Sequence, residues 1–197
     1  MSRLVTFGCS HVYGLELDDC LTVDHPPSKL GFSTTLAKML NREELNRSDT
    51  GAGSRQIAAT VLDTEFQSTD IVVINWSNIS RRGIWNGVYW EQLASWNTDK
   101  SWKKYYAKYH HTSDDILDFF MNVNLANLFL ESKVEKVVNS VHRDSCNVTT
   151  YPLSWNSVNF DIIFHTTEFY YKELKGGHPD QRTHDLFAER LFKLINE

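Results

Sequence analysis

Three adjacent reactive side chains stand at the end of the first apolar segment of the chain. The stretch TFGCSHVYG, residues 6–14, carries Cys9, Ser10 and His11 side by side after a glycine. A serine at a strand-to-helix turn can be exposed, with nearby backbone N–H groups facing a developing oxyanion. A histidine can take the proton of such a nucleophile as a general base. These residue types indicate acyl-transfer chemistry, and they leave open which of the three acts.

Two later turns and one histidine carry groups that suit the same chemistry. Gly51 and Gly53 lie in TGAGS, and glycine lets a backbone approach a substrate closely. Ser77 and Asn78 follow the apolar segment DIVVINW and could add side-chain donors. His178 precedes the last predicted helix and could reach the serine as general base. We therefore expect these groups to converge.

Alternating strands and helices must position these turns. Short apolar or β-branched segments predict strands, and apolar residues three or four apart predict helices. The predicted strands are Leu4–Phe7, Glu44–Asn46, Asp70–Trp76, Val134–Val141 and Phe160–Phe164, and the predicted helices include Phe32–Leu40, Asp114–Leu130 and a final helix after Pro179. This alternation predicts an α/β domain with a mostly parallel sheet. The carboxyl ends of its strands lie at one edge, where such sheets bind ligands.

Composition and charge narrow the class of protein. The 197 residues, 41% of them hydrophobic, suit a single domain with a sizeable core. A net charge of -5 argues against a nucleic-acid or anionic-membrane partner. The sequence has no apolar run long enough to span a membrane, and its start in a predicted strand leads us to expect no signal peptide. Its three cysteines lack CxxC spacing, which indicates free thiols in a reducing compartment. We expect a cytoplasmic location.

Four sequence blocks resemble those of SGNH (GDSL-type) hydrolases, in the order of that family. FGCSHVYG resembles the first block, in the small FGCS form found in bacteriophage genomes, and TGAGSRQIAATV resembles the second. DIVVINWSN resembles the third block and GGHPDQRTHDLFAERL the last, so the resemblance extends from end to end of the chain. It implies a three-layer α/β/α, flavodoxin-like domain over residues 1–197 that hydrolyses an ester without cofactor or metal. It also implies a host-cytoplasm location, with the virion as the alternative.

The resemblance implies a role for each site residue. Ser10 would be the nucleophile and His178 the general base. The oxyanion hole would consist of the Ser10 N–H, a second-block glycine, and a third-block side chain. The glycine corresponds to Gly51 or Gly53. The third-block side chain corresponds to Ser77 or Asn78.

The acid of the triad departs from the family pattern. The family places an aspartate three residues before the histidine, and this chain has Lys175 there. Lysine has donors only and cannot accept a hydrogen bond from the ring. In a serine protease, loss of the acid lowers turnover by about 10⁴. Glu168, Glu173 or Asp180 could substitute, or a backbone carbonyl could orient the ring. Otherwise the protein is a catalytically degenerate phage structural or adaptor protein that binds a partner.

Several candidates also have simpler structural interpretations. Ser10 could cap a helix, since serine is a favoured cap. Cys9 is expected to be buried beside the first strand, because free cysteine is among the most buried residue types. His11 is expected to be a local surface group and His184 a surface or packing residue. The side chains of the pair His110–His111 diverge on a regular element, so no metal site is expected.

An aromatic and basic segment follows the third block, as an insertion at about residues 77–112. Between Trp76 and Tyr109 it is rich in tryptophan, tyrosine, lysine and arginine. It could be a small core that packs the insertion onto the domain, or a lid that stacks a sugar or another ring-bearing substrate. It could also be a surface for a protein partner, the virion or a second copy, because Trp, Tyr and Arg are favoured in interfaces. Acyl esters, acetylated carbohydrates and thioesters all stay open as substrates.

Overall fold

A computed structural model describes residues 2–93, 100–109, 112–142, 160–164 and 177–197. The predictions at Cys146, Glu168, Glu173, Lys175 and the pair His110–His111 lie outside these residues. The elements in chain order are β1 (Arg3–Gly8), α1 (Ser10–Tyr13), α2 (Phe32–Met39), β2 (Glu43–Asn46), α3 (Ser54–Leu62), β3 (Ile71–Trp76), β4 (Arg82–Trp85), β5 (Trp90–Leu93), α4 (Lys100–Tyr109), α5 (Thr112–Leu130), β6 (Lys136–His142), β7 (Ile162–Phe164) and α6 (Gln181–Asn196).

Within the described residues, the central sheet contains five strands in the order β2-β1-β3-β6-β7, and each neighbouring pair is parallel. In the strand order, β2 lies on one side of β1, whereas β3 and the later strands lie on the other side of β1. The strand order therefore reverses between β1 and β3, as in flavodoxin-like folds, whose ligands bind outside the carboxyl ends of these two strands. In this structure Gly8 pairs with Asn75 at that point.

Helices cover both faces of the sheet. Alternate strand residues point to opposite faces, and apolar residues on each face pack against these helices. Val5 and Ile74 pack with α3 and α5 in one hydrophobic core. Leu4 and Val73 pack with α2 and α6 in the other. All six residues of β3 are buried, as expected of a strand covered on both faces. The predicted three-layer α/β/α fold with a mostly parallel sheet is confirmed.

The aromatic insertion contains an antiparallel hairpin of β4 and β5. Its base is packed: Leu93 is fully buried, and Arg82 Nε lies 2.5 Å from Oδ1 of the buried Asp115 on α5. Its tip is exposed, with Trp85 at 53% and Tyr89 at 59% of their full accessibility. The hairpin thus joins a packed base to an aromatic tip that faces solvent.

The described cysteines are Cys9 and Cys20, and both are buried free thiols. The burial predicted for Cys9 is confirmed. Among the described residues, no helix is long and apolar enough to cross a membrane.

Candidate active site

Ser10 lies at the carboxyl end of β1, where the chain turns at once into α1. A side chain at Gly8 would come within 2.8 Å of the Asn75 carbonyl oxygen and would overlap Val12. Only glycine therefore lets α1 fold back this closely on β1 and β3. Ser10 is the first residue of α1 and is 8% exposed. Its backbone N–H has no intrahelical acceptor, as for any first residue of a helix.

The second turn continues beside the same end of β1. The Arg47 N–H donates to the Thr6 carbonyl at 2.8 Å, and the Asp49 N–H donates to the Gly8 carbonyl at 3.2 Å. These bonds bring Gly51 next to the edge, with a φ of 75°, which favours glycine.

The described part of the insertion contacts both glycines of this second turn. The Gln92 side chain of β5 lies against Gly51, and its Nε2 donates to the Thr50 carbonyl oxygen. A side chain at Gly53 would come within 2.5 Å of the Arg81 carbonyl oxygen. Both candidate glycines therefore contact the insertion, Gly51 at the turn itself and Gly53 at the start of α3.

The third turn follows β3, the strand next to β1. Ser77 is 2% exposed, and its buried Oγ has no hydrogen-bond partner in the described part of the chain. The side-chain Oδ1 of Asn78 accepts from the Ser80 N–H at 3.0 Å and from the Ser80 hydroxyl at 2.9 Å. This Asx turn fixes the Asn78 amide.

Four polar donors at this edge are unpaired within the described residues. They are the N–H groups of Ser10 and Gly51, the Ser77 hydroxyl and the Asn78 amide nitrogen. Buried and half-buried polar groups are ordinarily hydrogen-bonded. Several unpaired donors at the carboxyl ends of β1 and β3 suit a ligand that brings acceptor oxygens. Their assignment to an oxyanion hole stays a prediction.

His178, from the far end of the sequence, lies beside the loop that follows Ser10. Its ring meets the ring of His11 edge-on, with centroids 5.9 Å apart. Its Nδ1 atom is buried and lies 3.3 Å from Oε2 of Glu16. The two atoms are at ion-pair distance, but they do not form a hydrogen bond, and Nδ1 has no other hydrogen-bond partner among the described residues. Sequence reasoning missed Glu16, which has no family spacing to mark it.

Within the described residues, the Nδ1 atom of His178 has no hydrogen bond to Ser10 or to another group. Catalytic hydrogen bonds are often long in unliganded sites and tighten only when substrate binds. The predicted approach of Ser10 and His178, directly or through one water, stays a prediction.

Asp180, one of the predicted substitute acids, caps helix α6. Its Oδ1 accepts from the Thr183 N–H at 2.9 Å and from the Thr183 hydroxyl at 2.7 Å. A cap of this kind stabilises a helix by roughly 1 kcal/mol. The structure therefore gives this carboxylate a structural use. Glu16 is the described carboxylate at ion-pair distance from His178.

His184 is a packing residue of the core between α2 and α6. It is 2% exposed, stacks on Phe32 and accepts a hydrogen bond from the Phe32 N–H at its Nδ1, 3.1 Å away. Burial lowers the pKa of His184 to about 4. The charge of His178 also lowers this pKa, and the charge of Asp180 raises it. No cluster of three or more potential metal ligands exists among the residues described.

We expect the neutral form of His184 to make folding pH-dependent. The folded state binds fewer protons than the unfolded state between the ordinary histidine pKa and about 4. The free energy of unfolding should therefore fall by about 3 kcal/mol as the pH drops through this window. Urea denaturation from pH 7 to pH 4 measures it. His184→Asn keeps an acceptor for the Phe32 N–H without titrating, so its stability should vary less. An unchanged pH dependence in this variant would contradict the assignment.

Comparison with known proteins identifies the fold. No protein-family model and no curated protein sequence matches the chain. An acetyl xylan esterase from the rumen bacterium Butyrivibrio proteoclasticus matches 99% of the chain with a TM-score of 0.60 at 13% identity. An extracellular lipase from Streptomyces rimosus matches all of it with a TM-score of 0.55 at 12% identity. A G-D-S-L family lipolytic protein structure from Desulfitobacterium hafniense matches 98% of it with a TM-score of 0.54 at 11% identity.

This chain has the fold of GDSL-type esterases and lipases. It spans 63% of the acetyl xylan esterase, 99% of the Streptomyces lipase and 98% of the lipolytic protein. At identities this low, the structural similarity establishes the fold alone, and the SGNH-type fold implied by the sequence blocks is confirmed. The bacteriophage FGCS subtype stays a prediction.

Proposed function

We propose that the protein is a serine ester hydrolase of SGNH type, with Ser10 as nucleophile and His178 as general base. One observation carries this proposal. Unpaired donors lie at the carboxyl ends of β1 and β3, the edge at which Ser10 follows β1, in a fold that esterases and lipases share. An ester carbonyl that becomes an oxyanion is the kind of ligand that such donors stabilise.

The proposed mechanism gives each of these residues a role. Ser10 Oγ attacks the ester carbonyl carbon while His178 takes the hydroxyl proton. The N–H groups of Ser10 and Gly51, with the Ser77 hydroxyl or the Asn78 amide, donate to the oxyanion. The imidazolium then protonates the leaving alcohol, and an acyl-enzyme remains on Ser10. Water, deprotonated by His178, releases the acid. No step uses a cofactor or a metal.

An acetylated carbohydrate is the substrate that we propose. Gln92 and Gly53 connect the hairpin to the second turn, so the exposed rings of Trp85 and Tyr89 belong to an element that borders the site. Aromatic rings present flat apolar faces that suit stacking on a sugar ring. Structures with the same fold include carbohydrate esterases, which supports this substrate class.

The alternative is a catalytically degenerate phage structural or adaptor protein. Lys175 in place of the family aspartate favours it, as does the exposed hydrophobic tip of the hairpin. One solved structure of this fold is a carbohydrate esterase whose active site is described as having divergent catalytic and non-catalytic binding functions. A binding protein would keep the edge and its donors without turning over an ester.

A fluorophosphonate probe tests the proposal directly. We expect the wild-type protein to be phosphonylated at Ser10, as mapped by peptide mass spectrometry, because only an activated serine reacts with such probes. Ser10→Ala should abolish labelling. Cys9→Ala, one residue away, should leave it intact, which separates the serine from its neighbouring thiol. A folded wild-type protein that stays unlabelled would favour the binding alternative.

A further inference from the structure

We propose that Glu16 supplies the carboxylate of the catalytic triad and positions His178 for Ser10. This inference rests on the proposed ester hydrolysis and adds to it a residue from the loop after the nucleophile. The acid would then stand six residues after Ser10 in sequence, and not three residues before His178, where Lys175 stands.

The first support is the geometry at the histidine ring. Glu16 Oε2 lies 3.3 Å from Nδ1 of His178, and the two side chains are 25% and 18% exposed. The Nδ1 atom is buried and has no other partner among the residues that the structure describes. The 3.3 Å separation is within reach of a hydrogen bond, and catalytic hydrogen bonds that are poorly aligned in an unliganded site often tighten when substrate binds. With Nδ1 facing the carboxylate, Nε2 is the nitrogen left for the serine.

The second support is the backbone of the loop. Glu16 has a φ of 72°, a left-handed conformation that is uncommon outside glycine. Hydrogen bonds maintain it: the Glu16 N–H donates to the Cys20 carbonyl at 2.8 Å, and the Leu17 N–H donates to the Gly14 carbonyl at 3.3 Å. Leu17 and Cys20 are buried and anchor the loop. Backbone strain of this kind clusters at functional sites, where the surrounding structure sustains it.

The third support is the link between this loop and the nucleophile. The Leu15 N–H donates to the Ser10 carbonyl oxygen at 3.1 Å, so the residue before Glu16 is tied directly to Ser10. Nucleophile and carboxylate therefore belong to one short, hydrogen-bonded segment, and His178 docks on it from the other end of the chain. The competing carboxylate of Asp180 caps α6.

Glu16 would act through the ring and would not react itself. Its carboxylate accepts the Nδ1–H, which selects the tautomer whose Nε2 lone pair faces Ser10. When the serine proton moves to Nε2, the negative charge of Glu16 stabilises the imidazolium. The carboxylate stays ionised throughout, and the proton leaves with the alcohol.

Glu16→Gln tests this role, because it keeps the side-chain size and removes the charge. With a short-chain aryl ester as substrate, we expect kcat to fall by about 10²–10⁴ while KM changes by less than about threefold. Glu16→Asp restores a carboxylate, and its kcat should be at least about tenfold higher than that of Glu16→Gln. Asp18→Asn is the matched control: it removes a charge from an exposed position of the same loop and should leave kcat unchanged. Thermal unfolding establishes that each variant is folded.

Three outcomes would overturn the inference. In the first, wild-type protein labels at Ser10 and hydrolyses the ester, but Glu16→Gln does so equally fast; the proposed function then stands without Glu16. In the second, Asp180→Asn or Glu173→Gln causes the loss of kcat and Glu16→Gln does not. In the third, wild-type protein does not label at all, and the proposed function fails together with the role of Glu16. If Glu16→Gln does not fold, Glu16→Ala with added formate replaces it, and a failure of formate to raise kcat counts against the role.

Discussion

Replacing His178 by asparagine is expected to lower kcat for ester hydrolysis by about 10⁴-fold or more. The serine hydroxyl is a weak nucleophile at neutral pH and needs a base to take its proton. In subtilisin, loss of the triad histidine alone costs about as much kcat as loss of the whole triad. A 10⁴-fold loss corresponds to roughly 5 kcal/mol of transition-state stabilisation. Steady-state hydrolysis of an aryl ester and the rate of fluorophosphonate labelling both measure it.

His11 provides a matched control for this experiment. Its ring touches that of His178 at a centroid distance of 5.9 Å, and it follows Ser10 directly. We expect His11→Asn to lower kcat by less than about tenfold, because this histidine has no part in the proposed proton transfer. If His11→Asn abolishes turnover and His178→Asn does not, the base is His11 and the assignment of His178 is wrong.

Replacing Asp70 by alanine is expected to lower the free energy of unfolding by about 3–5 kcal/mol. Asp70 is fully buried at the start of β3, and Arg3 binds both of its carboxylate oxygens, at 3.0 and 2.6 Å. Burial alone raises the pKa of Asp70, but hydrogen bonds from Arg3 and from the Gln67 N–H outweigh it, so the pKa lies below its usual value. Alanine would remove the anion that balances the Arg3 guanidinium, which would keep only its hydrogen bond to the Glu65 carbonyl oxygen, and would leave the Gln67 N–H without its acceptor.

Urea denaturation measures this loss, and an ion pair with an exposed carboxylate gives the comparison. Arg42 Nη2 lies 2.9 Å from Glu135; the Glu135 side chain is 48% exposed and that of Arg42 is 14% exposed. Glu135→Ala should cost less than about 1 kcal/mol, because exposed ion pairs gain little over their hydration. Equal losses in the two variants would contradict the role of burial.

Because Asp70 precedes β3 and Ser77 follows it, the folded Asp70→Ala protein should still label at Ser10.

Local sequence patterns determined most of the fold and the positions of the three turns. The β-branched run before Ser77 forms a buried strand, and the apolar spacing of the last segment forms α6. Both patterns follow the side-chain periodicity of a helix or a strand, which backbone geometry sets independently of the rest of the chain. Once the sheet is parallel, its geometry alone brings Ser10, Gly51 and Asn78 to the same edge. That part of the site could be predicted from the sequence.

The partners of the histidines and carboxylates were decided only by the tertiary structure. Asp180 and Glu16 are both carboxylates without the family spacing, yet one caps a helix and the other lies against His178. His184 is buried against Phe32, and no pattern near it in sequence distinguishes it from an exposed histidine. The direction of a loop side chain depends on the hydrogen bonds of its own backbone, such as the bond from the Glu16 N–H to Cys20. It also depends on which distant segment packs beside it, and local periodicity specifies neither.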